Sequence, residues 1–321
     1  MKLKTVLQAA FALATVTLAC VQTTTAWAQA YPNKTIRLIV PVGPGGSPDI
    51  LARSIGEKLA ESLGQPVVID NRAGANGIIA GEAVARAAPD GYTLLMAYDS
   101  HATNPSLYPL PYNTLKDFTP ISMVAKIPLV MSVPPALGVN TVQEFLALAK
   151  SKPGQLNFAS VGKGSSAHLA SELLKTSTGS PIVHVPYKDN GSAMADLMSN
   201  RVQMVMFSVV AMVPTIKDGR MRALAVSSSQ RSSALPNVPT LAEAGVAGYD
   251  YAPWIGLLGP ANMPKDIVAK LNAEVARIVA LPDMQKRYAE QLVLTTSTPE
   301  QFAALIEGDI TRWSKIVPKG E

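Results

Sequence analysis

TIRLIVPVGPGGSPDILARSIGEKLAESL, residues 35–63, is the stretch on which the fold turns. Residues 35–42 form an apolar run broken once by Arg37, as a strand buried on both faces requires. Gly43-Pro44-Gly45-Gly46 then reverses the chain. Ser47, Pro48 and Asp49 open a segment with helical apolar spacing to residue 63, with a capping hydroxyl, a first-turn proline and an acid near the N-terminus. LNFASVGKGSSAHLASELLKT, residues 156–176, repeats the plan: apolar run, glycine turn, helix. A strand feeding a helix through a tight glycine turn is the unit of an α/β fold.

Outward from these two units the alternation continues. Further strands are predicted at residues 66–71, 93–98, 129–133, 182–187, 202–207 and 224–228. Helices are predicted at 77–87, 141–150, 192–199 and 212–218, then three in succession at 264–280, 282–291 and 299–313. Pro264, Pro282 and Pro299 suit helix starts, where a missing N–H is harmless. The pattern predicts parallel sheets in two lobes, with the C-terminal helices packing back on earlier structure. Residues 127–135 and 248–253 are the expected crossings between lobes.

Of 321 residues, 48% are hydrophobic and 16% charged, enough to bury a large core and far from a disordered composition. The net charge of +5 is a mild excess spread along the chain, with no basic run of nucleic-acid type. Lys2 and Lys4 ahead of the apolar residues 6–21, and Ala26-Trp27-Ala28 after them, read as an export signal cleaved near Ala28. Cys20, the single cysteine, also permits a lipoprotein box, but Thr17 stands where a large aliphatic is usual. After cleavage near Ala28 the chain holds no thiol for a disulfide or a metal.

Both glycine turns suit an anion. The first N–H groups of a helix lack intrahelical partners and carry the positive end of the dipole, and glycine lets a ligand approach them. Ordinary helix caps are the alternative reading of both. A phosphate loop fails because Lys163 is followed by Gly164. Gly162-x-Gly164-x-x-Ala167, with Asp189 downstream, meets only a relaxed dinucleotide fingerprint. No Gly-x-Ser-x-Gly or His-Glu-x-x-His occurs, and His101, His168 and His184 have no metal-ligand spacing. No metal or cofactor is expected. The rival from another class is an exported hydrolase using Ser165 or Ser166 with His168.

Several stretches in order, among them YPNKTIRLIVPVGPGGSPD (31–49), VVIDNRAGANG (67–77), HATNPSLY (101–108), FASVGKGSSAHLA (158–170), VPYKDNGSAMADLMSNRVQMV (185–205) and WIGLLGPANMPKDIVAKLN (254–272), resemble the tripartite tricarboxylate transporter solute receptors, the Bug-type extracytoplasmic binding proteins. The resemblance runs from Tyr31 to Pro318. It implies a periplasmic-binding-protein (Venus-flytrap, type II-like) fold of two α/β lobes around a central cleft. With it come a signal peptide over 1–28, one lobe from 29–130 plus 250–321, and the other from 131–249. It implies a monomeric, non-enzymatic periplasmic receptor that delivers a small organic acid to large and small membrane subunits; a sensor partner of a membrane kinase is the other role considered. One ligand carboxylate is expected between the turns, held by Gly45, Gly46, Ser47 and Asp49 from the first and Ser160, Gly164, Ser165, Ser166 and His168 from the second. Asp49 cannot favour an anion directly, so it is expected to cap its helix or fix a bridging water. Two departures stand out: Val42, where the family often has Phe, and Asp99 in Tyr98-Asp99-Ser100-His101, an acid where many relatives carry a small or hydroxylated residue; the selectivity set takes Tyr98, Asp99 and Ser100 from this segment. Selectivity is assigned to these four with Lys163, Tyr187, Asp189, Ser208 and Trp254. An acid at 99 predicts a ligand whose far end is not a bare carboxylate, unless Lys163 compensates; the alternative is that Asp99 caps the turn toward His101.

Overall fold

The structure, a computed structural model, describes residues 31–45 and 47–317, with Ser47 described by its backbone alone. The predicted export signal, Cys20, Gly46 and the Ser47 side chain lie outside the described residues. No helix among the described residues is long and apolar enough to cross a membrane.

Within the unit that begins at Lys34, the chain builds two sheets. The first combines β1 (Ile36–Val40), β2 (Val67–Asn71), β3 (Thr93–Tyr98), β4 (Phe118–Lys126), β10 (Trp254–Pro260) and β11 (Val293–Leu294) in the order β11-β4-β10-β3-β1-β2. The second combines β5 (Leu129–Val133), β6 (Asn157–Ser160), β7 (Val183–Pro186), β8 (Met204–Ser208) and β9 (Arg222–Val226) in the order β7-β6-β8-β5-β9.

Both sheets are mixed, which corrects the expectation of purely parallel ones. β1 runs parallel to β2 and β3, and β6 to β7 and β8. β5 and β10 run against their neighbours. These two strands enter their sheets directly from the other lobe, not through a helical crossover, and only such a crossover demands the parallel sense. The strands β4, β10 and β11 and the helix at Ser100–Leu107 were not anticipated. Pro120 interrupts β4 and Pro105 lies inside that helix, so neither segment has a clean period.

The helices are α1 (Ser47–Leu63), α2 (Ile78–Ala85), α3 (Ser100–Leu107), α4 (Val142–Ser151), α5 (Ser166–Thr178), α6 (Asn190–Met198), α7 (Val209–Lys217), α8 (Lys265–Val279), α9 (Pro282–Tyr288) and α10 (Pro299–Ile316). Their starts follow the local chemistry. Thr141 caps α4 by accepting from the Glu144 N–H, and Thr298 with Gln301 forms a reciprocal capping box on α10.

Consecutive strand residues supply opposite faces of a doubly covered sheet. Met131, Phe158, Met204 and Met206 pack on one face of the second sheet with Phe145, Leu174 and Tyr249, while Val130, Ala159 and Val205 pack on the other with Leu197 and Met212. The core of the first lobe gathers Ile39, Val84, Leu95, Phe118, Trp254, Leu258, Phe302 and Ile306. Helix α10 enters both cores. Phe302 and Ile306 lie in the first, while Trp313, with Val317 just beyond the helix, lies in the second.

Two crossings join the lobes side by side. Between β4 and β5 only Ile127 and Pro128 intervene, and the Ile127 N–H donates to the Pro253 carbonyl of the second crossing at 2.7 Å.

Candidate functional site

Beside these crossings lies a cavity of about 370 Å³. The second lobe supplies Val161, Gly164, Ser165, Ser166, Ala167, Asn190, Met206, Phe207 and Ser208; the first supplies Asn76, Tyr98 and Asp99; Ile127, Leu129 and Pro253 close it near the crossings.

On the second-lobe side three helices begin. Ser165, Asp189 and Ser208 are the N-cap residues of α5, α6 and α7, and Ser165, Ser166, Asn190 and Ser208 line the cavity. Converging N-termini bring partial positive charge and free N–H groups to one place. Among the described lining residues there is no Lys, Arg or His, so the polarity suited to an anion is that of backbone dipoles and hydroxyls.

The second glycine turn is braced from beneath. The Ser165 hydroxyl donates to the Gly162 carbonyl at 2.8 Å and accepts from the His168 N–H at 3.4 Å. His168 Nδ1 accepts from the Gly164 N–H at 3.3 Å. Ser160 is fully buried, bonds to both polar groups of Gly162, and pairs with His184 Nε2 at 2.6 Å. Burial holds both imidazoles at about 4, helped by the Lys163 charge and, for His168, by His184. They are neutral supports behind the turn, and neither ring lines the cavity. With Nδ1 of His168 on a backbone N–H and the Ser165 hydroxyl on a carbonyl, the Ser165 hydroxyl does not pair with the His168 ring as the hydrolase reading requires.

The first-lobe wall is organised around Asn76, which holds a left-handed backbone (φ 52°) that asparagine tolerates. Its carbonyl accepts from the Ser100 hydroxyl at 3.0 Å and the Asn104 amide at 3.1 Å. Its side chain donates to Asn104 at 2.8 Å and accepts from the Tyr98 hydroxyl at 3.3 Å. Asn76 and Gly164 face each other across the lobes: a Cβ built on Gly164 would come within 3.8 Å of Asn76 Nδ2 and would collide with a Leu107 methyl.

Asp99 follows β3 directly, with 3% of its surface exposed. The Tyr251 hydroxyl donates to its Oδ2 at 2.5 Å. Burial pushes the Asp99 carboxyl up to about 7; the bond from Tyr251 works against this and nearby Asp309 adds to it.

The first glycine turn stands apart from the described cavity wall. Asp49, 1% exposed, accepts from the Gly45 N–H at 2.9 Å, from Asn71 at 2.8 Å and from Arg53 at 3.0 Å. Burial raises its pKa, but the bonds from Arg53, Gly45 and Asn71 outweigh this and leave it lowered. Asp49 therefore shapes the turn from behind. Val42 offers its carbonyl to Asn71.

Four other selectivity candidates point elsewhere. Trp254 faces the first-lobe core, its indole N–H on Asp309 at 2.9 Å, so Pro253 supplies the wall at this crossing. Asp189 caps α6 through the Ser192 N–H, the Tyr187 hydroxyl is held by Asp196, and Lys163 is exposed and absent from the cavity wall. Ser208 and Tyr98 do line the cavity, and Ser100 lies just behind it. Sequence reasoning missed Asn76, although Asn76-Gly77 is a turn dipeptide whose backbone demands were legible. It also missed Asn190 and the apolar wall of Met206 and Phe207, which read simply as strand.

Two α/β lobes facing one cavity, with helix N-termini converging on it, define a solute-binding protein. The chain belongs to the tripartite tricarboxylate transporter receptor family, whose sequence model matches residues 51–321. It is 39% identical over 294 residues to the protein BugT of Bordetella pertussis, covering 90% of each chain. Among solved structures it resembles R. palustris Rpa4515 with adipate (35% identity, TM-score 0.76, 90% of this chain and 100% of that one). It also resembles MatC from Rhodopseudomonas palustris with bound malate (33%, 0.73, 89% and 100%) and the periplasmic binding protein BugD (30%, 0.72, 90% and 100%).

Proposed function

We propose that this receptor works in the periplasm, captures a small organic carboxylate between its lobes, and hands it to the large and small membrane subunits of a tripartite tricarboxylate-type transporter. The observation that carries the reading is the convergence of the α5, α6 and α7 N-termini on a cavity with no cationic side chain among its described lining residues. Such a wall suits a carboxylate, which accepts several N–H and O–H bonds at once. Adipate in Rpa4515 and malate in MatC support the ligand class. Gly164, Ser165 and Ser166 hold one carboxylate, with the first glycine turn as the expected other half of the clamp. Residues 1–28 direct export, and the family role of receptor leaves the chemistry to others.

A thermal-shift screen of organic acids tests this. A carboxylate at one hundred times its dissociation constant raises stability by about 2.7 kcal/mol. Hydrolysis of an ester panel with no carboxylate shifting the melting temperature would overturn it.

A further inference from the structure

The cavity holds a contradiction that its role as an anion receptor does not resolve: among its described lining residues Asp99 is the one carboxylic acid, and there is no Lys, Arg or His. Asp99 is not neutralised from behind either. Its Oδ2 takes the Tyr251 hydroxyl at 2.5 Å, a neutral donor. The other titratable groups around it are Tyr98 on its own strand and, from α10, the buried Asp309, whose charge opposes that of Asp99, while the backbone at Ser100, where α3 starts, favours the charge in part. Arg312 of the same helix and Lys126 of β4 act on Asp309. A buried carboxylate without a cation is costly when charged. The three helix N-termini belong to the second lobe, where the first carboxylate of the ligand is proposed to sit, whereas Asp99 follows a first-lobe strand.

We propose that Asp99 reads the far end of the bound acid, accepting a hydrogen bond from a hydroxyl or ammonium tail and admitting a second carboxylate only when one proton is shared between the two. This rests on the carboxylate reading of the site given above. Two carboxylates brought together in a poorly hydrated cavity cannot both stay ionised, and a proton drawn from solvent between them gives a short charge-assisted hydrogen bond. An ammonium group needs the opposite state, Asp99 ionised. A hydroxyl suits either. The tail of the ligand therefore sets the sign of the pH dependence. With the Asp99 carboxyl at about 7, the change falls in the range a periplasm samples.

The test is calorimetric titration of the mature protein between pH 6.5 and 8.5 with matched acids: adipate, 6-hydroxyhexanoate and 6-aminohexanoate, and the corresponding four-carbon set. Across that range, dicarboxylate affinity should fall about tenfold or more, ammonium-tail affinity should rise, and hydroxyl-tail affinity should stay within about threefold. Asp99→Asn should abolish both slopes. Tyr251→Phe removes a bond that favours the ionised acid, so it should move the dicarboxylate transition to higher pH; it also carries the test if Asp99→Asn folds poorly. One common pH profile for all tails, or slopes that survive Asp99→Asn, overturns the role of Asp99 while leaving the receptor reading intact. If no member of either set binds the wild type, the carboxylate reading itself fails, and this inference with it.

Discussion

The Ile127 N–H and the Pro253 carbonyl, 2.7 Å apart, tie the two interlobe crossings to one another. Each lobe also anchors this pair: the Val209 N–H donates to the Pro128 carbonyl, and the Asp99 N–H to that of Trp254. A hinge built this way confines lobe motion to a few residues. Ligand should therefore close the lobes, and small-angle scattering at saturation should give a smaller radius of gyration. An unchanged radius would count against a two-lobe clamp.

Gly164 has φ +78°, and any Cβ there collides with Leu107 of the other lobe. Gly164→Ala should cost about 1–2 kcal/mol from the backbone alone, and should weaken carboxylate binding by keeping the lobes apart. Leu107→Ala in the same chain should restore part of the binding and little of the stability. Recovery of neither, read by calorimetry and melting, would mean that this contact does not govern the approach of the lobes.

Asp49 satisfies Gly45, Arg53 and Asn71 together. Asp49→Ala strands these donors and should destabilise by about 2 kcal/mol. Because its folded pKa is lowered, the stabilisation is present above its ordinary value and lost as pH falls through the folded one. Denaturant melts at pH 7 and pH 3 should differ more for wild type than for the variant.

His101 is buried between Tyr112 and Phe118, its Nε2 without a partner among the described residues, and burial lowers its pKa to about 4 against an opposing bond from Thr114. The unfolded chain protonates this imidazole first, so its contribution is full above about 6.5 and drains as pH falls toward 4. His101→Phe should flatten the decline of melting temperature over that range. A slope equal to that of wild type would exclude His101 as a source.

Trp313 packs edge-on to Tyr251, with ring centroids 5.0 Å apart, in the second-lobe core, while Phe302 of the same helix meets Trp254 in the first. Trp313→Ala should cost about 3–5 kcal/mol. Because α10 serves both cores, scanning calorimetry should show one transition for wild type and variant alike; two resolved transitions in wild type would contradict the coupling.

The amino-acid sequence by itself determined the elements around the two glycine turns. The units predicted at residues 35–63 and 156–176 became strand, turn and helix, the second helix running on to Thr178, because apolar runs, glycine with positive φ, and Ser, Pro and Asp at helix starts act over a few residues. Tertiary structure alone decided the rest. The reversed sense of β5 and β10 follows from arrival out of the opposite lobe, and no local pattern encodes an origin. Asp99 is a case in kind: as a letter it is an ordinary charged residue after a strand. Packing buries it, sets Tyr251 and Asp309 near it and leaves it without a cation among the described cavity residues. Protonation is settled by solvent exclusion and by neighbours more than a hundred residues away, and these exist only once the lobes have folded against each other.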